Sequence, residues 1–291
     1  MNDNEGDGLE MVTAVCFGAA GGGKRLYPKI SEKYEIKAYV DNDRNKWGGE
    51  LFGVPICNPN KLMEMEYDYL VITSAPGLET ICEQCAEMGI PAAKIITAYV
   101  EMPLESRRIF LKNLSEMPEF EALSGECAEA GVFEGDFARY INEYFPNRVL
   151  HLFDTFEGFD ERDIEKEKGL SAAKTGEYGN TSEEKVMKKM PFPNQCVIHK
   201  GFFPQTAEKM NNRFCFVNLD LDLYEPTYQG LLFFASRMVQ GGVILVHDYF
   251  TEDFKGPREA VDRFVREMHM GRIALYKHPI GDGLSILLVG F

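Results

Sequence analysis

Short apolar runs, each closed by glycine or by acidic residues and each followed by helical periodicity, recur along this chain. Val12–Phe17 breaks at Gly18 and opens a helical stretch to about Ser31. Ile36–Val40 ends in Asp41-Asn42-Asp43, and Tyr69–Thr73 ends in Ser74-Ala75-Pro76-Gly77, ahead of a helix from about Leu78 to Met88. Lys94–Thr97 reads as a fourth strand. A helix from Pro103 to about Met117, with Leu104, Phe110, Leu111 and Leu114 on its apolar positions, is stopped by Pro118. The alternation restarts near Gly125, with a helix from about Asp136 to Tyr144 and a strand, Arg148–Phe153, ending in Asp154. The run around Phe216–Leu219 ends in Asp220 and Asp222, and Gly242–Val246 ends in His247-Asp248-Tyr249. Two last strands, Arg272–Lys277 and Leu284–Phe291, flank Gly281-Asp282-Gly283, a hairpin signal.

Strands alternating with helices predict an α/β protein with parallel sheets. Its 291 residues suit two Rossmann-like domains. The expected division is a disordered tail (1–10), a Rossmann-like N-terminal domain (11–100), a helical linker (101–122) and a second α/β domain (123–291). A net charge of −15 disfavours nucleic acid or an anionic membrane as partner. The seven cysteines follow no disulfide rhythm, which fits the reducing cytoplasm. Residues 1–10 lack the pattern of a secretory signal, and no apolar run is long enough to span a bilayer. A homo-oligomer is compatible with all of this.

Three places carry candidate chemistry. The first glycine turn reads Gly18-x-Ala20-x-x-Gly23, with Asp41 near a ribose-binding position. Ala20 puts a methyl where a pyrophosphate would approach, so glycines used only for tight packing are the competing reading. The second turn, Glu129-Ala130-Gly131-x-x-x-Gly135, is followed by Asp154 at the tip of the next strand. An acid there can accept hydrogen bonds from ribose hydroxyls. Without further glycines or basic residues for phosphates, the ligand suggested has a ribose and no phosphate, as S-adenosylmethionine does. The third place is Asp220, Asp222, His247 and Asp248, metal-ligand residue types at two strand ends. Cys82 and Cys85 have redox-like spacing but helical periodicity, and read as a structural helix. Residues 157–195 form a long polar stretch, either a lid over the acceptor or a solvated insertion, with Glu165-Lys166-Glu167-Lys168 as surface charge.

The first half resembles the N-terminal Rossmann-like domains of nucleotide-sugar and acyl-sugar-modifying proteins, through Asp41-Asn42-Asp43, Lys46-Trp47-Gly48 and Gly53-Val54-Pro55-Ile56. In the second half Glu129-Ala130-Gly131-Val132-x-x-Gly135, Phe153–Phe159, Lys200–Thr206, Leu219–Thr227 and Gly241–Tyr249 occur in order. Together they resemble the macrocin O-methyltransferase (TylF-type) family of class I methyltransferases, over about residues 123–291. The resemblance implies a class I sheet with an antiparallel C-terminal hairpin, and methyl transfer from S-adenosylmethionine to a hydroxyl of a sugar-containing acceptor, assisted by Mg²⁺ or another divalent ion. By position it implies cofactor contacts at Glu129, Gly131, Gly135, Asp154, Thr155, Phe156 and Gly201. It implies metal ligands at Asp220, His247 and Asp248, with Asp220, Asp222 and His247 in the chemistry. His247 departs from the family pattern, where a carboxylate is usual; an imidazole suits softer metals, or acts as a base. The alternative is a nucleotide- or nucleotide-sugar-binding protein whose methyltransferase domain binds without turning over.

Overall fold

In the computed structural model, which describes residues 11–75, 77–167 and 169–291, the chain divides into one unit up to Met102 and another from Pro103 to Phe291. The expected disordered tail, residues 1–10, lies outside the described residues. The first unit holds β1 (Thr13–Phe17), α1 (Gly21–Ser31), β2 (Glu35–Val40), β3 (Glu50–Leu51), β4 (Val54–Cys57), β5 (Tyr69–Ile72), α2 (Leu78–Glu87) and β6 (Ile95–Ile96). Its sheet order is β3-β4-β2-β1-β5-β6, parallel except for the short β3–β4 pair. The centre of β1, with both faces covered, is fully buried, as expected of a central parallel strand.

Two helices follow, α3 (Ala98–Ser115) and α4 (Pro118–Glu121). The helix starts earlier than its Pro103 suggests, because the Thr97 carbonyl accepts from both Val100 and Glu101 N–H and opens it there. Pro118 begins α4 rather than only stopping its predecessor, since proline suits a first helical turn.

The second unit continues with β7 (Glu126–Ala130), α5 (Ala138–Tyr144), β8 (Leu150–Asp154), α6 (Glu161–Ile164), α7 (Glu183–Lys189), β9 (Cys196–Lys200), β10 (Phe214–Leu219), α8 (Tyr224–Ala235), β11 (Met238–Val246), α9 (Gly256–Met270), β12 (Tyr276–Pro279) and β13 (Ile286–Val289). The sheet order is β12-β13-β11-β10-β7-β8-β9, with β13 antiparallel to both β11 and β12. The class I sheet and its antiparallel C-terminal strands are as expected. Every residue of β10 is buried, so its one polar member, Asn218, sits inside the apolar core.

The stretch 157–195 is neither structureless nor wholly solvated. Asp160 and Ser182 cap α6 and α7 by accepting from Arg162 and Lys185 N–H. Val186 and Met190 bury against the core. Within the predicted surface charge run, Glu167 is buried and accepts the Tyr224 N–H at 2.8 Å, supplying the cap that α8 otherwise lacks. Burial raises its pKa, partly offset by that N–H. Among the described residues no helix is long and apolar enough to cross a membrane.

Candidate functional site

Parallel registry brings three strand ends to one edge. Leu219 pairs with Ala130 on one side and Val246 on the other, and Ala130 pairs with Phe153. The ladder runs one residue beyond each strand: Asp220 N–H donates to Ala130 O (2.8 Å), His247 N–H to Leu219 O (2.9 Å) and Gly131 N–H to Phe153 O (2.9 Å). The backbones of Gly131, Asp220 and His247 are thus fixed side by side. Gly131 has φ +83°, and a Cβ there would stand 1.8 Å from the Asp220 carbonyl oxygen. Only glycine allows the two strand ends this approach.

The carboxylates converge on an imidazole. His247 Nδ1 lies 2.9 Å from Asp220 Oδ1 and 2.8 Å from Asp248 Oδ2. One ligand atom from each of the three residues fits within a 4.8 Å group. Asp222 and Asp248 share a hydrogen bond, and both hold left-handed backbone conformations (φ +59° and +56°), uncommon for residues with a Cβ. Burial and Arg107 act to lower the His247 pKa, but the two carboxylates raise it further, to about 9. It is an imidazolium at neutral pH. Burial acts to raise Asp220 and Asp248, but His247 outweighs it, with help from Arg107, and holds both below the ordinary carboxyl range. Asp222 goes the other way: burial and the charges of Asp248 and Asp220 push it well above that range, so it carries a proton.

Two residues that the sequence reading passed over belong to this edge. Arg107, from α3, is buried, and its Nη2 lies 3.2 Å from Asp220 Oδ2 and 3.3 Å from Asn218 Oδ1. Asn218 in turn donates to Glu129 Oε1 at 2.8 Å. Burial and the Asp220 charge raise the Glu129 pKa well above normal. Each had a visible signal. Asn218 interrupts an apolar run, and Arg107 shares a helix face with Leu111 and Leu114, at i, i+4 and i+7. Tyr178, from the 157–195 stretch, packs edge-on against Phe133 and Phe159, and its pKa is raised chiefly by burial.

The cofactor residues expected from sequence gather unevenly. Asp154 Oδ2 accepts from Val132 and Phe133 N–H (2.8 and 2.9 Å), and its Oδ1 accepts from Phe156 N–H at 2.7 Å. Thr155 donates its hydroxyl to Gly158 O at 2.7 Å, and Phe156 is buried. Gly201 follows β9, where its N–H meets Asp154 O. Thr155 and Gly201 line one open cavity of about 790 Å³ with Gly158, Phe159, Arg162 and Phe202. Gly135 stands apart: a Cβ there would meet Val186 and Met190, so it accommodates α7.

In the first unit the glycine turn is filled by its own backbone. A Cβ at Gly22 would lie 1.8 Å from Thr73 O, and one at Gly23 would lie 2.4 Å from Gly18 O. Asp41 accepts from Ala19 N–H (2.7 Å), Asp43 N–H (2.8 Å) and Lys46 (2.9 Å). Cys82 and Cys85 lie in α2 as free thiols.

A comparison with curated proteins gives no match. Among solved structures, the calicheamicin methyltransferase CalS11 aligns with a TM-score of 0.50 at 19% identity, over 74% of this chain and 91% of its own. The O-methyltransferase NovP aligns at 0.49 and 20% identity, over 62% of this chain and 78% of its own. The N-terminal unit matches a family described as C2185-like, N-terminal, over residues 11–96. The profile of the macrocin-O-methyltransferase (TylF) family matches residues 101–273, more than half of the chain. The chain belongs to that family, and is an S-adenosylmethionine-dependent O-methyltransferase of class I fold.

Proposed function

We propose that the protein methylates a hydroxyl of a sugar-containing acceptor, with a divalent cation held by Asp220, His247 and Asp248. The observation that carries the reading is the convergence of these three side chains directly beside the Gly131 turn. Two carboxylates and an imidazole nitrogen fit a divalent ion once His247 gives up its Nδ1 proton. The nitrogen favours Mn²⁺ or Zn²⁺ more than an all-oxygen set would. For the cofactor, the fit rests on the Glu129 Oε2 atom, buried without a partner, and on the glycine turn above it. Glu129, Gly131 and Asp154 would hold the cofactor, with Thr155, Phe156 and Gly201 around its nucleoside end and Gly135 supporting the turn from beneath.

A divalent ion held by Asp220, His247 and Asp248 would supply positive charge to offset the negative charge that develops on the acceptor oxygen. S-adenosylmethionine supplies the methyl group. The chain's own residues handle the proton. Methylation releases one from the acceptor hydroxyl; Asp222, protonated in the ligand-free site, would take it only after ionising, which the charge of a bound cation would favour. Asp220 and Asp248 orient His247, which can act as a second base only after it loses its Nδ1 proton. Seven free thiols accord with a cytoplasmic setting.

Family membership supports the O-methyl transfer, and the family's usual substrates support a sugar hydroxyl. The reading of a nucleotide-using N-terminal unit is less favoured, because the turn at Gly22 and Gly23 has no room left by its own backbone. The test is calorimetric titration of S-adenosylhomocysteine with and without Mg²⁺ or Mn²⁺, followed by methyl transfer to a panel of nucleotide sugars. Micromolar binding, enhanced turnover with a divalent ion, and loss of turnover in Asp220→Ala are expected. Absence of binding at millimolar S-adenosylhomocysteine would sink the proposal.

A further inference from the structure

Part of the 157–195 stretch folds back on itself beside the site. Phe159 N–H donates to Glu177 O (3.1 Å) and Gly176 N–H to Phe159 O (2.9 Å). The two segments approach so closely that a Cβ on Gly158 would lie 2.3 Å from Glu177 O. The Thr181 hydroxyl ties the stretch to Phe133 O, and Lys255 N–H holds Leu170 O at 3.0 Å. The residue that these ties present is Tyr178. Its backbone is left-handed, at φ +64°, which is uncommon for a bulky side chain and persists only where the surroundings over-determine it. Its ring stands edge-on to both Phe133 and Phe159, with centroids 5.4 Å away in each case.

Two sides of the reaction meet at this ring. Phe133 lies two residues past Gly131 and gives its N–H to Asp154 at 2.9 Å. On the other side, the Tyr178 hydroxyl is near the carboxyl groups of Asp222, Asp248 and Asp220. Burial raises its pKa, so it stays a phenol and a hydrogen-bond donor at any working pH. Among the described residues that hydroxyl has no hydrogen-bond partner, whereas the hydroxyl of Tyr249, beside Asp248, donates to Asp262 at 2.8 Å.

We infer that Tyr178 binds the acceptor and helps to select it: its ring lies against the apolar C–H face of the acceptor's sugar ring, and its hydroxyl donates to an acceptor oxygen neighbouring the one that is methylated. The inference rests on the sugar O-methyl transfer proposed above. The oxygen to be methylated must lie between the cofactor at the Gly131 turn and the carboxylates of Asp220 and Asp248, and Tyr178 borders both. A sugar ring offers a C–H face and a polar rim. A tyrosine steadied by two phenylalanines meets both with one side chain.

The test compares the wild-type protein, Tyr178→Phe and Tyr178→Ala. Steady-state kinetics use the nucleotide sugar of the panel above that the wild-type protein methylates fastest, beside calorimetric titration of S-adenosylhomocysteine. Tyr178→Phe keeps both ring contacts and loses one hydrogen bond. It should raise the acceptor KM roughly 2- to 10-fold, with kcat within about threefold and S-adenosylhomocysteine affinity within about twofold. Tyr178→Ala loses the ring as well, and should raise KM by roughly a further 2- to 10-fold. Should Tyr178→Ala not fold, Tyr178→Phe carries the test by itself. An unchanged acceptor KM in Tyr178→Phe, or a loss of S-adenosylhomocysteine affinity as large as the rise in KM, overturns the assignment and leaves the methyl-transfer reading standing. A wild-type protein that methylates none of the sugars overturns both.

Discussion

Replacing Gly131 by alanine should uncouple the two halves of the site. The added Cβ would lie 1.8 Å from the Asp220 carbonyl oxygen and 2.6 Å from its carbonyl carbon. Carbon–oxygen contacts ordinarily stop at about 3.3 Å, so the end of β10 has to retreat by roughly 1.5 Å. That movement breaks the 2.8 Å bond from Asp220 N–H to Ala130 O. The lost bond costs about 0.5–1.5 kcal/mol, the left-handed backbone about 1–2, and the overpacking about 1–3. The sum is roughly 3–6 kcal/mol, and in a unit of this size it lowers the melting temperature by on the order of 10 °C or more. Gly135→Ala is the internal control. Its φ of +80° incurs the same backbone cost, but its Cβ meets the ends of Val186 and Met190 side chains at 3.1 and 3.3 Å, which can give way. Thermal melts of both variants, followed by circular dichroism, isolate the contact with Asp220. If Gly131→Ala melts within about 2 °C of Gly135→Ala, the close approach of the strands does not have the consequence argued for it.

Two further outcomes follow from the same edge. His247 is raised from the ordinary 6.5 to about 9, so its stabilising contribution is complete below pH 6.5 and is lost as pH rises through 9. The raised Glu129 and Asp222 act in the same direction. The ligand-free protein should therefore lose up to about 3 kcal/mol between pH 6.5 and 9 through His247, and denaturant melts of His247→Gln should show a visibly flatter profile over that window. An identical pH profile in the variant would remove His247 from the account. Asp154→Asn can keep a carbonyl oxygen for Val132 and Phe133 N–H but then sets its NH₂ against Phe156 N–H, and should destabilise the protein by about 1–3 kcal/mol even without ligand. A thermal shift assay in which only the cofactor affinity falls, with the ligand-free melting point unchanged, would show Asp154 to be a ligand contact and no more.

Much of this was legible in the chain because strand ends are marked twice, once by the loss of apolar residues and once by their side-chain chemistry. Leu219 to Asp220 and Val246 to His247 are such boundaries, and both fall where the apolar runs end. The strands β3 and β4 escaped because two to four residues around Gly53 are too few to show a period. Arg107 escaped for a different reason. A helix between two α/β patterns reads as a connector, and only packing against β10 turns its one inward cation into part of the site. Glu167 sat in a run of charges whose local pattern is that of solvent-facing residues, yet the bare N-terminus of α8 draws it inward. Burial of a charge is decided by the partner that tertiary structure brings, which local sequence does not announce.

Asp154 and Asp41 share a further property, that of near-saturation. An ionised carboxylate has about four acceptor positions. Asp154 already receives three donors, Val132, Phe133 and Phe156 N–H. Asp41 likewise receives three, from Ala19, Asp43 and Lys46. About one position remains on each, whereas a ribose diol presents two hydroxyls. Full engagement of a nucleoside at either strand tip therefore requires a backbone N–H to be released and the adjoining turn to give way. An acid at this place in a Rossmann-like unit is first a clasp for its own loop, and its presence alone does not report a nucleotide.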